Sequence, residues 1–225
     1  LIMNKAIFYK EWIKSRIFLL GLVLVFAGFT GYTMLNLSKI VQFNGGAAVW
    51  SALITRDTVL IEALRLLPAI AGALLAVVQF LPEILQKRIK LTLHLPYPQG
   101  KIIFMMYLFG LTVLLAVFVC QLAATGAVLS KWIVWELNAR IIATSLVWYL
   151  AGFATYIWVA AICLEPTWKF RVILLIILAA LLHLMFLSNV PESYNGFLPW
   201  LIAYVFAGQV LIYHSIARFK EGMQD

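Results

Sequence analysis

Residues 102–129 read IIFMMYLFGLTVLLAVFVCQLAATGAVL, twenty-eight positions without one Asp, Glu, Lys or Arg. A helix needs about 20 apolar residues to cross roughly 30 Å of hydrocarbon. This stretch meets that length with residues to spare, enough to tilt or to extend past the bilayer. Working outward, five more stretches qualify: 17–37, 59–81, 141–164, 172–188 and 198–215. The fifth is short and its ends are the least defined. The fold class expected is an all-α polytopic membrane protein with six transmembrane helices in one transmembrane domain, 1–225.

Composition agrees. Of 225 residues 64% are apolar and 12% charged, against about 45–50% and 25% in soluble domains. Mean hydropathy is +1.00. A soluble core of this size cannot bury so much apolar surface. Soluble enzymes, nucleic-acid-binding domains and disordered chains are therefore excluded. The net charge of +8 is read as basic loops on one membrane side, not as affinity for nucleic acid.

The lysines and arginines set an orientation. Lys5, Lys10, Lys14, Arg16, Lys87, Arg88, Lys90, Lys101, Lys169, Arg171, Arg218 and Lys220 flank the spans on one side, twelve of seventeen. Lys39, Arg56, Arg65, Lys131 and Arg140 fall on the other. The positive-inside rule places both termini in the cytoplasm, as an even span count also requires. Trp50, Trp132, Trp135, Tyr194 and Trp200 read as outer interfacial anchors, Trp12 and Trp168 as inner ones. The first span has no small-residue cleavage pattern after it and reads as retained, with Met3 a candidate natural start. Cys120 and Cys163 lie inside apolar runs and read as packing residues.

Chemistry at membrane depth is sparse. Among the nine acids only Glu62 falls clearly within a predicted span, and Arg65, three residues on, shares its helix face. The pair is expected to be an ion pair, with an outer-vestibule contact as the alternative. No carboxylate is expected near mid-bilayer, so an ion relay has no carrier. His183 reads as a buried hydrogen-bonding residue. His94 falls in a cytoplasmic connection, and His214 lies at a different depth from His183, too far apart for one haem. No GxxxxGK[ST] motif is present, so the chain is expected to be neither an enzyme nor an ATP binder on its own, with no catalytic, cofactor or metal site.

Two segments on the basic side carry pattern. Residues 4–16 place Ala6, Phe8, Tyr9, Trp12 and Ile13 on one helical face and Asn4, Lys10, Glu11, Lys14 and Ser15 on the other, as an interfacial helix would. Pro82 suits the first turn of a helix over 83–95, with Glu83 near its positive end. Glu83, Lys87, Lys90 and His94 follow at i, i+4, i+7 and i+11, with Gln86 in the same stripe and Arg88 outside it. Pro96-Tyr97-Pro98 stops it. So ordered a polar stripe predicts a docking surface for a cytosolic partner, the alternative being a helix that rests on the inner membrane face.

These residues resemble a family. Lys10-Glu11-Trp12 looks like the N-terminal connecting helix of type-2 ABC exporter permeases, and Glu83 through Pro96 to Gly100-Lys101-Ile102 resembles their second-to-third connection. Leu91 stands where a glycine is usual, and the spacing from Pro96 to Gly100 is compressed. The resemblance implies a permease subunit pairing with a second copy or paralogue and with two cytosolic ATPases that hold ATP and Mg. Residues 83–95 would be the coupling helix, with Glu83, Gln86, Lys87, Arg88, Lys90 and His94 toward the ATPase. Residues 165–171 would make a smaller contact. The stretch 189–199 would form short re-entrant helices, and the location would be a bacterial inner (plasma) membrane. The uncharged spans suit an amphipathic cargo, with membrane lipid around them. The rival reading is a non-transporting membrane anchor or assembly subunit of a larger complex.

Overall fold

Helix α4 (Trp135–Leu164) organises the molecule, because both its sides are lined with small and apolar residues that are buried along most of its length. The computed structural model describes residues 2–55, 61–85, 99–188, 190 and 192–220. Its other elements are α1 (Ile2–Thr55), a 3-10 turn (Glu62–Leu64), α2 (Leu67–Leu85), α3 (Gln99–Leu129), α5 (Trp168–Met185) and α6 (Leu198–Lys220). Helices α2, α3, α5 and α6 all pack on α4, and α1 lies against α3 and α2. Five of the six helices are long and apolar enough to cross a membrane. In α6 the apolar part among the described residues is Leu198–Val210.

Lipid supplies no hydrophobic drive between helices, so close approach through small residues has to hold them. The α2–α4 seam is built that way. A Cβ on Gly72 would overlap Gly152 O and Thr155 Oγ1, and a Cβ on Gly152 would overlap Pro68 O and the Phe118 ring. Thr155 Oγ1 donates across the seam to Ala69 O at 2.8 Å. Outward faces carry the large apolar side chains instead. Ile17, Leu20 and Leu24 on α1 are 77%, 66% and 72% exposed, and Ile173 and Ile176 on α5 are exposed as well. Trp132, Trp135, Trp168 and Trp200 are exposed near helix ends, where aromatic belts sit, and Trp12 is exposed ten residues into α1.

Four expectations need correction. Residues 4–16 are not a separate interfacial helix: α1 runs through them without a break, since no Gly or Pro interrupts the chain there. Helix α1 kinks at Gly45, whose φ of 76° is a left-handed value that glycine alone adopts cheaply. From Ile2 to that kink the helix is about 65 Å long, more than the roughly 40–45 Å thickness of a whole bilayer. Pro82 does not open a helix but lies in the last turns of α2. His183 is exposed on the outer side of α5 rather than buried, because Leu178, Leu181 and Met185 take the inward face. Among the described residues of 189–199, positions 192–197 form turns and no helix precedes Leu198.

Candidate functional site

The N-terminal part of α1 packs with its polar face inward. Glu11 and Ser15 are fully buried, while Tyr9, Trp12 and Ile13 point outward. The reason lies on α2. Glu83 sits two residues from that helix's end with a fully buried side chain. A carboxylate there opposes the helix dipole and needs cations. It receives two: Lys10 Nζ at 3.0 Å and Lys14 Nζ at 3.1 Å from Glu83 Oε1.

Lys14 is the hub. Its ammonium also donates to Gln79 O at 2.7 Å and approaches both oxygens of Glu11, at 3.3 and 3.1 Å. Pro82 removes the hydrogen bond that Val78 O would otherwise accept, and the next carbonyl, Gln79 O, takes the lysine. Two carboxylates and two ammoniums make the cluster neutral as a whole, which is what allows it to be buried. Glu83 Oε2 lacks a hydrogen bond, and Glu11 Oε2 has only its ion-pair contact with Lys14. Ser15 Oγ is occupied locally, donating to Glu11 O at 2.7 Å.

A polar chain continues from this cluster into the bundle. Gln79, one turn before Glu83, donates from Nε2 to Met106 O on α3. Its Oε1 accepts from Tyr156 Oη on α4 at 2.8 Å, and that oxygen also lies 3.2 Å from Tyr107 O. The Tyr107 and Tyr156 rings stack at 5.8 Å. Room for the Tyr156 hydroxyl comes from Gly110, where a Cβ would overlap it. Thus α1, α2, α3 and α4 are pinned together at one level by named polar atoms.

The sequence-predicted residues distribute unevenly over this geometry. Lys10 and Glu11 belong to the cluster, and Trp12 faces outward beside it. Glu83 was expected on an exposed stripe toward a partner; the structure instead buries it against α1, because its nearest cations are there. Gln86, Lys87, Arg88, Lys90 and His94 lie outside the described residues. Glu62 and Arg65 approach only to 4.0 Å, with Glu62 71% exposed. The firmer partner of Arg65 is the end of α5: it donates to Phe186 O and lies 5.5 Å over the Phe186 ring. In 165–171, Glu165 is buried, accepts from Thr167 Oγ1 at 2.8 Å and offers its carbonyl to Arg171 Nε at 2.7 Å. Residues 165–167 are an extended link between α4 and α5, and 168–171 already belong to α5.

Sequence reasoning missed Gln79, Tyr107 and Tyr156. A usable signal was present: Gln79 is the sole amide side chain in the apolar run 59–81, and a polar group at membrane depth finds a partner on another helix. Among the described residues no three His, Cys, Asp or Glu come together as a metal site. Comparison of the chain with known families, characterised proteins and solved structures gives no match.

Proposed function

We propose that this chain is the transmembrane subunit of an ATP-driven exporter, working with a second permease copy or paralogue and two cytosolic ATPases to move an amphipathic substrate outward. The observation that carries the reading is the joint between Lys10, Lys14 and Glu83. It ties together the two segments that bear the family resemblance, the Lys10-Glu11-Trp12 helix and the connection that begins at Glu83. A partner pushing on 86–98 would act on a point that is already fixed to α1 and, through Gln79 and Tyr156, to the central helix α4. Separating α1 from α2 here would strip the buried Glu83 carboxylate of its two cations, which is costly, so the joint couples the two helices as a force-transmitting link needs.

In this reading the docking residues are Gln86, Lys87, Arg88, Lys90 and His94, and Glu83 is a positioning residue. The two roles separate experimentally. Tagged protein is purified in mild detergent from its native host, and the co-purifying proteins and their ATP hydrolysis are measured. A P-loop ATPase should accompany the wild type. Lys87→Ala with Lys90→Ala should release it, whereas Glu83→Gln should retain it but weaken the stimulation of hydrolysis by substrate. Purification with a cofactor-bearing subunit and without an ATPase would favour the membrane-anchor reading instead.

A further inference from the structure

Between the first two turns of α3 and the middle of α6 lies a cavity of about 330 Å³, at the low end of the roughly 300–1,000 Å³ usual for ligand pockets. Gly100, Ile103, Phe104 and Tyr107 line it from α3, with Gln209 and Val210 opposite on α6. Phe104 is 52% and Val210 70% exposed, so the cavity opens outward, toward what would be lipid. A Cβ on Gly100 would meet nothing within 4 Å, which leaves the mouth clear at the helix end.

Two polar side chains stand in this otherwise apolar wall. Tyr107 is 4% exposed and its hydroxyl makes no hydrogen bond. The Gln209 side chain interacts with that hydroxyl but does not meet hydrogen-bond geometry with it. A buried hydroxyl left unsatisfied is destabilising, and an incoming acceptor would remove that penalty. Lys101, the residue after the lining Gly100, is exposed. From Lys101 to Tyr107 is six residues, about 9 Å along the axis. The order from the helix end inward is therefore cation, apolar wall, hydrogen-bond donors.

We propose that this cavity binds an anionic phospholipid from the leaflet on the N-terminal side of the bundle. Its phosphate meets Lys101, its glycerol and first methylenes lie on Ile103, Phe104 and Val210, and an ester carbonyl accepts from Tyr107 Oη or the Gln209 amide. The inference needs only that the helices sit in a bilayer, and it stands apart from the exporter reading. Snorkelling lets the Lys101 stem follow the helix while its ammonium stays at headgroup level.

The test is native mass spectrometry of the delipidated full chain in detergent, titrated with phosphatidylglycerol and, separately, with phosphatidylcholine. Wild type should bind one phosphatidylglycerol with preference over phosphatidylcholine. Val210→Trp fills the cavity from its exposed wall and should weaken binding about tenfold; Val119→Trp, another outward position farther along α3, should not. Lys101→Gln should erase the preference for the anionic lipid. Tyr107→Phe should weaken binding severalfold while leaving the unfolding midpoint of the lipid-free protein unchanged or raised, because it removes a hydroxyl that has no partner without lipid. Should Val210→Trp fail to fold, Tyr107→Phe and Lys101→Gln decide. Equal binding by wild type and these variants, or equal affinity for the two lipids, overturns the proposal.

Discussion

Replacing Lys14 by methionine keeps the length and the apolar stem of the side chain and removes its charge. The structure gives that ammonium four contacts: Gln79 O at 2.7 Å, Glu83 Oε1 at 3.1 Å, and Glu11 Oε1 and Oε2 at 3.3 and 3.1 Å. Lys10 remains, but its contact is with Glu83, so Glu11 is left buried and uncompensated. Breaking a buried pair by removing one partner costs about 3–5 kcal/mol. The Lys14 side chain is 16% exposed, which puts the expected loss at the lower end, about 3 kcal/mol. Removing the stranded charge as well, in Glu11→Gln with Lys14→Met, restores neutrality around the Lys10–Glu83 pair and should recover at least about 2 kcal/mol of that loss. Equilibrium unfolding in mixed micelles of increasing denaturing-detergent fraction measures all four corners of this cycle. A Lys14→Met variant within 1 kcal/mol of wild type, or a double variant as unstable as the sum of the singles, would refute the reasoning.

Other expectations follow from the same geometry. Gly72→Ala pushes a methyl into Gly152 O and should destabilise by about 1–3 kcal/mol, whereas Gly21→Ala, with nothing within 4 Å, should stay within about 0.5 kcal/mol of wild type; the same unfolding assay compares them. Tyr156→Phe leaves Gln79 Oε1 without its donor and should cost about 1–3 kcal/mol. Cys120 is exposed on a helix within a candidate span. In proteoliposomes it should resist a charged, water-soluble maleimide and react with an apolar one. Rapid labelling by the charged reagent would place that face in water.

The helical framework was legible because hydropathy over twenty or more residues overwhelms every other local signal. The run 102–129 became Gln99–Leu129, and 141–164 became the end of Trp135–Leu164. The polar joint was harder. Glu83, Lys87 and Lys90 follow helical spacing in the sequence, so periodicity assigned Glu83 to the connection that follows. Yet α2 continues through Pro82, and Glu83 is closer to Lys10 and Lys14, seventy residues earlier, than any spacing rule within one segment reveals. Lys10, Glu11 and Lys14 gave a partial clue, two cations to one acid on a face that needed another anion. The α2–α4 seam leaves no motif within one segment, because its contact pairs one glycine on each helix, Gly72 and Gly152, with Thr155 beside them. His183 was misjudged because a span's inward face follows its neighbours, and α5 meets the bundle chiefly through α4.

The exporter reading is tested most directly at position 87. A photo-cross-linking amino acid placed there, activated in intact native membranes, reports what the segment after Glu83 touches. The account predicts an adduct with a P-loop ATPase chain, and none when the cross-linker is moved to the outward-facing position 119. Adducts at position 87 with lipid alone, or with a cofactor-bearing membrane subunit, would contradict it.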